Sequence, residues 1–122
     1  MLLDTHVLLW ALADRPMRPE TRRLIEDPRT IVRVSAASTW EIGIKTAIGK
    51  LRAPDDLERQ LRAARFVPLH VTVVHGLAVA DLPPLHRDPF DRLLVAQARL
   101  ENLTLVTRDE RLAGYDVEIL TA

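Results

Sequence analysis

The chain has 122 residues, of which 48% are hydrophobic and 28% are charged, a composition that excludes intrinsic disorder and suits one domain with a buried core. Its 17 basic and 17 acidic residues cancel, so no overall positive field attracts nucleic acid and any such binding must be local. Cysteine is absent, which excludes disulfides, thiolate catalysis and cysteine zinc sites. No apolar run has membrane-spanning length and the first residues do not resemble a signal peptide, so we expect a cytoplasmic protein.

Short apolar runs alternate with amphipathic segments along the chain. Strands are predicted at residues 2–3, 31–34, 66–69, 103–106 and 117–120, and helices at residues 5–13, 19–26, 36–48, 54 onward, 72–80 and 89–100. Pro68 cannot donate to a ladder, so the third strand is expected at a sheet edge. Strands that alternate with helices predict the α/β class, here a single domain (residues 1–122) with a central parallel sheet of about five short strands flanked by helices.

The clearest helix start in the chain is Asp88-Pro89. The Asp88 carboxylate suits an N-cap that accepts backbone N–H groups, and Pro89 suits the first helical position, where no intrahelical donor is lost. Asp91 then falls in the first turn, and apolar residues follow at spacings of three and four. We therefore predict a helix that packs deeply against the sheet and carries a carboxylate at its mouth.

Acidic residues recur near the ends of the predicted strands. Asp4 directly follows the first strand and Asp109 lies just beyond the fourth. Asp91 begins the helix before that fourth strand, and Glu41 lies in the helix after the second. Ligands of open α/β sheets bind beyond the carboxyl ends of the strands, so we expect the four acids to converge at one rim. Carboxylates this close repel one another, and a hard divalent cation, Mg²⁺ or Mn²⁺, would relieve the repulsion.

Three of these acids also have a purely structural interpretation. Asp4 suits an N-cap of the first helix. Glu41 has Lys45 one turn later, a spacing typical of an ion pair worth about 0.2 to 0.5 kcal/mol. Residues 107–110 read Thr-x-x-Glu, which is typical of a capping box at a helix start. Asp109 would then merely be an acid that the helix dipole stabilises. The structural interpretation does not, however, predict that acids recur at several strand ends.

Four segments, in order along the chain, resemble motifs of the PIN-domain nucleases, in the VapC-like toxin branch of type II toxin–antitoxin systems. They are residues 2–10 (LLDTHVLLW), 34–42 (VSAASTWEI), 86–98 (HRDPFDRLLVAQA) and 105–109 (LVTRD). The resemblance spans nearly the whole chain. It implies a PIN-like nuclease domain over residues 1–122, which hydrolyses RNA phosphodiester bonds as a metal-dependent endoribonuclease and acts as the toxin of such a pair.

The same resemblance implies the residues and partners of the reaction. The catalytic set would be the four acids Asp4, Glu41, Asp91 and Asp109. The ion, Mg²⁺ or Mn²⁺, would be held directly by Asp4, Asp91 and Asp109. Glu41 would bind the ion through water or orient the attacking water. The resemblance also implies a homodimer, an RNA substrate and a cognate antitoxin protein, while the number of ions stays open.

Other α/β classes fit the residues less well. A response-regulator receiver would carry paired acids after the first strand and a lysine after a late one. A phosphatase with an aspartyl nucleophile would carry a second aspartate two residues after Asp4, where His6 stands. The remaining alternative is a PIN-like RNA-binding or regulatory subunit with little catalytic turnover. The presence of all four acids argues against that alternative.

The remaining histidines, arginines and tryptophans allow more than one interpretation. The ligand spacing of zinc hydrolases is missing from the histidines His70, His75 and His86. Either RNA phosphates or surface ion pairs would suit the arginines that flank the acids, Arg87, Arg92 and Arg108. A place in the core or in a dimer interface is expected for Trp10 and Trp40.

Overall fold

Five short strands form one parallel sheet. In the computed structural model, which describes residues 1–122, they are β1 (Leu2–Leu3), β2 (Arg33–Ser35), β3 (Val67–Leu69), β4 (Leu105–Thr107) and β5 (Ile119–Thr121). Their order is β3-β2-β1-β4-β5, and every neighbouring pair is parallel. The predicted α/β class with a five-stranded parallel sheet is confirmed, and β3 lies at an edge, as Pro68 requires.

Six α-helices connect the strands. They are α1 (Thr5–Leu12), α2 (Pro19–Glu26), α3 (Ala36–Ala47), α4 (Leu57–Ala63), α5 (Val73–Ala78) and α6 (Pro89–Leu100), with 3₁₀ helices at Val79–Asp81 and Glu110–Gly114. The predicted start of α6 is confirmed, because the Asp88 carboxylate accepts the N–H groups of Phe90 and Asp91 and Pro89 occupies the first helical position. Crossing a bilayer needs a longer run of apolar helix than any found in this structure.

The core consists of two apolar clusters that pack on opposite faces of the sheet. Successive side chains of a strand point to opposite faces, so Leu2 joins the cluster under α6 while Leu3 joins the cluster under α1 and α3. Both residues of β1 are fully buried. A strand of only two residues can therefore serve as the centre of the sheet, because helices cover it on both sides.

The strand order reverses at β1, and this reversal positions the site. The chain runs outward from β1 through β2 to β3 and then crosses back to β4 and β5. Leu2 and Leu3 pair with Leu105 and Val106, so the residues that follow, Asp4 and Thr107, lie side by side at one edge. A crevice outside the strand ends at such a switch point is the usual ligand site of an open α/β sheet.

Element boundaries differ from the predicted ones by a few residues. β2 begins at Arg33 rather than Ile31, whose side chain is 60% exposed, and β4 and β5 each begin two residues later than predicted. Pairing with the very short β1 and its neighbours, rather than the length of the apolar run, sets these limits. The helix predicted from Pro54 begins at Leu57 after a turn, and the helix predicted over 72–80 ends at Ala78 and continues as a 3₁₀ helix.

A fully buried glutamine joins α6 to the second and third strands. The Gln97 side chain accepts the hydroxyl of Ser35 at 2.5 Å and donates to the carbonyl of His70 at 3.2 Å. The same amide nitrogen lies 3.3 Å from Nδ1 of the buried His75. Because buried polar groups are costly when unpaired, this amide fixes the depth and rotation of α6.

Replacing Gln97 by leucine should therefore destabilise the protein although the shape is similar. The change removes the acceptor of the buried Ser35 hydroxyl proton and the side-chain donor to the His70 carbonyl. Each loss should cost about 1 to 3 kcal/mol. Urea unfolding of the Gln97→Leu variant measures the loss. Gln60→Leu, the same change at a partly exposed position of α4, is the control and should alter the free energy of unfolding by less than about 0.5 kcal/mol. Equal losses in the two variants would contradict the role given to Gln97.

Candidate active site

Asp4 is both a helix cap and a member of the site. One carboxylate oxygen accepts the backbone N–H of Val7 at 2.8 Å, which caps α1. The other accepts the hydroxyl of Thr107 at 2.5 Å, across the switch point. The residue is buried, and this desolvation raises the pKa of its carboxyl group despite both hydrogen bonds. Asp4 therefore caps α1 as predicted, and it also lies at the rim where the functional site is expected.

Thr107 links the ends of β1 and β4. Its hydroxyl donates to Asp4 and accepts the backbone N–H of Asp109 at 3.0 Å. The capping box predicted for residues 107–110 is wrong, because Asp109 is the N-cap of the following 3₁₀ helix and its side chain accepts the N–H of Arg111. The Thr107 hydroxyl is thus committed to holding two acids rather than to capping a helix.

Asp109 lies between a guanidinium and an imidazole. Arg111 donates two side-chain hydrogen bonds to the carboxylate, at 2.8 and 3.0 Å, and Nε2 of His86 lies 3.0 Å from Oδ2. The hydrogen bond from Arg111 is the main cause that holds the pKa of this carboxyl well below its usual range. The pairing with Arg111 therefore favours the ionised form of Asp109. Sequence reasoning missed Arg111, whose only signal was its position two residues after the acid.

Asp91 shows the opposite behaviour. It sits in the first turn of α6, where its own N–H is capped by the Asp88 carboxylate at 3.2 Å. The pKa of the Asp91 carboxyl is raised to about 7, mainly by burial and also by the neighbouring charges of Asp88 and Asp4, while His86 opposes the rise. The site is therefore short of positive charge at this position.

Glu41 is buried on α3 with both oxygens engaged. One accepts the hydroxyl of Thr5 at 2.6 Å, and the other pairs with the ammonium of Lys45. The ion pair expected from the spacing of these residues is therefore present. The hydrogen bond to Glu41 is the main cause that raises the pKa of Lys45, and Asp88 and Asp91 add to it. Ser38, one turn before Glu41, is fully buried and its hydroxyl has no hydrogen-bond partner.

His86 belongs to the site, although sequence reasoning had given it no role. It is buried in the loop before α6, and Nε2 lies 3.0 Å from Asp109 and 3.4 Å from Asp91. The spacing of the histidines along the chain follows no pattern of zinc ligands and therefore did not indicate this role. The available signal was its position two residues before the Asp88 cap, within the most distinctive of the four motifs.

The flanking arginines are mostly used by the fold. Four acceptors bind the Arg92 guanidinium, namely the carbonyls of Pro83, Val79 and Leu82 and the hydroxyl of Tyr115. Arg108 donates to the carbonyls of Ala122 and Pro16 and lies 4.4 Å from the Trp10 ring centroid. Arg87, in contrast, is exposed at the surface.

The two tryptophans differ in environment. Trp10 is partly buried beneath Arg108. Trp40 is 63% exposed and contacts Phe90 edge to face, with ring centroids 5.3 Å apart. The expectation of a core position is therefore wrong for Trp40, because α3 turns this side chain away from the sheet.

The assembled donors suit a hard divalent cation. The Nε2 atom of His86 and one carboxylate oxygen each of Asp91 and Asp109 lie within 4.8 Å of one another. Asp4 and Glu41 lie outside this group, but their charges act on Asp91 and raise its pKa. The structure thus brings the four predicted acids to one rim, with two of them close enough to share an ion. Carboxylate oxygens in this number fit Mg²⁺ or Mn²⁺.

Comparison with known proteins agrees with this arrangement. The family model described as PIN domain matches residues 1–118. Ribonuclease VapC16 of Mycobacterium tuberculosis is 37% identical over an alignment of 60 residues. The alignment covers 46% of this chain and 43% of that protein. The chain thus matches less than half the length of this curated relative.

Solved structures show the same fold. VapBC2 from Rickettsia felis, bound to a DNA fragment from its promoter, superposes with a TM-score of 0.73 at 16% identity, covering 98% of this chain and 96% of that one. A toxin–antitoxin complex from Klebsiella pneumoniae gives a TM-score of 0.67 at 19% identity, covering 98% and 95%. At these identities the likeness establishes the architecture alone.

Fold and site together define an α/β domain with an acidic centre at the switch point of a parallel sheet. The match over residues 1–118 shows that this chain belongs to the PIN domain family. The resemblance inferred from the four sequence motifs is confirmed.

The raised pKa of Asp91 predicts how the stability of the metal-free protein depends on pH. The pKa of this carboxyl is 3.8 in the unfolded chain and about 7 in the folded protein. Between these pH values the folded state therefore binds a proton that the unfolded state has lost. Stability should therefore fall as pH rises from about 4 to about 7. Asp91→Asn should remove this part of the slope and raise the melting temperature of the metal-free protein at pH 8, as measured by thermal unfolding.

Asp88→Asn is the matched control. It keeps an oxygen for the cap and should fold normally, with a slope that is reduced but not removed, since Asp88 is only one cause of the Asp91 shift. Excess Mg²⁺ should stabilise the parent and Asp88→Asn more than Asp91→Asn, because an ion that binds only the folded state adds stability. Equal stabilisation of parent and Asp91→Asn by Mg²⁺ would remove Asp91 from the metal site.

Proposed function

We propose that this protein is a metal-dependent endoribonuclease, a hydrolase of RNA phosphodiester bonds, which acts as the toxin of a type II toxin–antitoxin pair. The observation that carries the proposal is the acidic rim, where burial and neighbouring acids raise the pKa of Asp91 while Arg111 holds the pKa of the nearby Asp109 well below its usual range. The partial match to a protein named Ribonuclease VapC16 supports RNA as the substrate. An enzyme that acts on cellular RNA would work in the cytoplasm.

The residues divide the work as follows. Asp91 and Asp109, which are close enough to share an ion, would hold Mg²⁺ or Mn²⁺ directly. Asp4, which lies outside this pair, is proposed as the third ligand, and Glu41 would act on the attacking water. When bound, such an ion lowers the pKa of a water ligand and neutralises charge on the phosphate. Thr107 and Thr5 keep Asp4 and Glu41 in place through their hydroxyls.

Positive charge at the rim would meet the substrate. Lys45 pairs with Glu41, and Arg111, with its side chain 70% exposed, pairs with Asp109. Both cations lie next to the acids and can turn part of their hydrogen-bonding capacity toward a phosphate. With aromatic residues making up only 4% of the chain, contacts to the RNA backbone would outweigh base stacking.

The antitoxin is proposed to fill an apolar groove beside α1 and α2. The groove has a volume of about 570 Å³, and its apolar walls include Leu12, Met17, Ile25, Ile31 and Phe66. A concave apolar surface of this size suits the apolar face of a partner's helix. The Klebsiella pneumoniae structure, a toxin–antitoxin complex by its description, supports a partner of this kind.

A homodimer is proposed through the exposed apolar side chains of α3. The apolar residues of α1 are buried or half-buried, so α3 is the helix of this pair that exposes apolar side chains. The exposed set comprises Trp40, Ile44 and Ile48, which are 63%, 38% and 60% exposed. Apolar side chains aligned along one helix commonly mark a protein interface.

RNA cleavage by the purified protein tests the activity. Cleavage should require Mg²⁺ or Mn²⁺, stop with a chelator, and be abolished by Asp4→Asn without unfolding the protein, since asparagine keeps the cap but loses the charge. Asp88→Asn should leave substantial activity. Unchanged cleavage by Asp4→Asn would remove Asp4 from the site, whereas RNA binding by the parent without metal-dependent cleavage would favour the alternative of a PIN-like RNA-binding or regulatory subunit.

Sedimentation tests the assembly. The parent should be a dimer at micromolar concentration, and Ile48→Glu should shift it to a monomer by placing a charge in the interface. Leu24→Glu, at a 43% exposed position on α2, is the control and should leave the dimer intact. A monomeric parent at this concentration would contradict the proposed interface.

A further inference from the structure

The two ring nitrogens of His86 have different partners. Nδ1 lies 3.0 Å from the backbone nitrogen of Asp88, and Nε2 lies 3.0 Å from Oδ2 of Asp109 and 3.4 Å from Oδ2 of Asp91. A backbone N–H can only donate, so Nδ1 accepts this hydrogen bond through its lone pair. A ring that accepts at Nδ1 carries its proton at Nε2, where the two carboxylates are acceptors.

We propose that His86 is a positioning residue that donates its Nε2 proton to Asp109, close to Asp91, and so holds the two acids at the spacing that a metal ion requires. The inference rests on the proposed function, because it concerns the same acidic rim. It adds a residue to which sequence reasoning gave no role, and it assigns that residue a hydrogen-bonding task rather than a place among the metal ligands.

The geometry opposes coordination by His86. A histidine that binds a metal offers the lone pair of one nitrogen and almost always donates the N–H of the other nitrogen to a carboxylate, a carbonyl or water. In His86 the nitrogen remote from the acids faces a donor instead. The nitrogen beside the acids therefore carries the proton and has no lone pair to offer an ion.

The ring is fixed by the same turn that delivers Asp91. The backbone N–H of His86 donates to the hydroxyl of the buried Tyr115 at 3.0 Å. Nδ1 of the ring accepts the N–H of Asp88, and the Asp88 carboxylate in turn accepts the N–H of Asp91. One hydrogen-bonded unit thus sets both the imidazole and the first turn of α6. Any rotation of the ring would break the contact with Asp88.

Asp109 is held from two sides as a result. Arg111 contacts it from the exposed side and His86 from the buried side, both at Oδ2, at 2.8 and 3.0 Å. Without the imidazole, Arg111 alone would position the carboxylate, through its backbone N–H and an exposed salt bridge. Exposed salt bridges hold their geometry weakly. The expected consequence is a looser metal site in a protein that still folds.

Two substitutions separate the two nitrogens of the ring. Glutamine has the same number of bonds from Cα to its amide nitrogen as histidine has to Nε2, so His86→Gln keeps the donor to Asp109. Asparagine ends at the position of Nδ1, so His86→Asn keeps an acceptor for the Asp88 N–H and removes the donor. The exposed His70 supplies the control His70→Asn.

Mn²⁺ binding, measured by calorimetry on the metal-free full-length protein, is the main readout. His86→Asn should weaken Mn²⁺ binding by about 10- to 100-fold, the usual effect of removing a partner of a metal ligand. His86→Gln and His70→Asn should bind Mn²⁺ within about threefold of the parent, and thermal melts should show all three variants folded. A parent that binds Mn²⁺ while His86→Asn binds it equally well would overturn the role of His86 alone.

Spectroscopy distinguishes a donor from a ligand. NMR of the metal-free protein should find the His86 proton on Nε2, and pulsed EPR of the Mn²⁺-loaded parent should show no coupling to a directly bound nitrogen. A proton on Nδ1, or a strong nitrogen coupling that His86→Gln abolishes, would overturn the proposal. A parent that binds no Mn²⁺ at all would overturn the proposed metal-dependent function and with it the positioning role.

Discussion

The site depends on holding carboxylates together at the carboxyl ends of β1 and β4. Burial raises the pKa of Asp4 and of Asp91, and in Asp91 the charge of Asp88 adds to the effect. The repulsion among these carboxylates is opposed by hydrogen bonds from other residues. Thr107 donates to Asp4, and Arg111 donates to Asp109. The protein thereby maintains a surplus of negative charge at one point of its surface, and such a surplus favours a bound cation.

The surrounding structure holds the acids in place despite their mutual repulsion. β1 is completely buried between the two apolar clusters, so the backbone that carries Asp4 cannot move away from β4. The loop before α6 is fastened by Arg92 and Tyr115, which bind its carbonyls and the N–H of His86. These contacts explain why Arg92, which follows Asp91 in the sequence, is bound to the fold rather than free to meet a phosphate.

The predictable part of the site was the part encoded by local rules. Asp88 and Asp91 were placed correctly because a cap followed by proline fixes a helix start within a few residues. His86 and Arg111 were not predicted. His86 contacts Asp109, which another segment of the chain contributes, and Arg111 contacts the same acid only because of the turn between them. Spacing along the chain carries no signal for such contacts unless it follows a known ligand pattern.

The sequence by itself determined the α/β alternation, the start of α6 and the recurrence of acids near strand ends, because hydrophobic period, capping and composition are local properties. Only the tertiary structure decided the strand order, which brings Asp4 and Thr107 side by side although 103 positions separate them in the chain. It also decided which nitrogen of His86 faces the acids, and it left Trp40 outside the core. These outcomes depend on how elements pack against one another, and packing is a long-range property that no short stretch of sequence specifies.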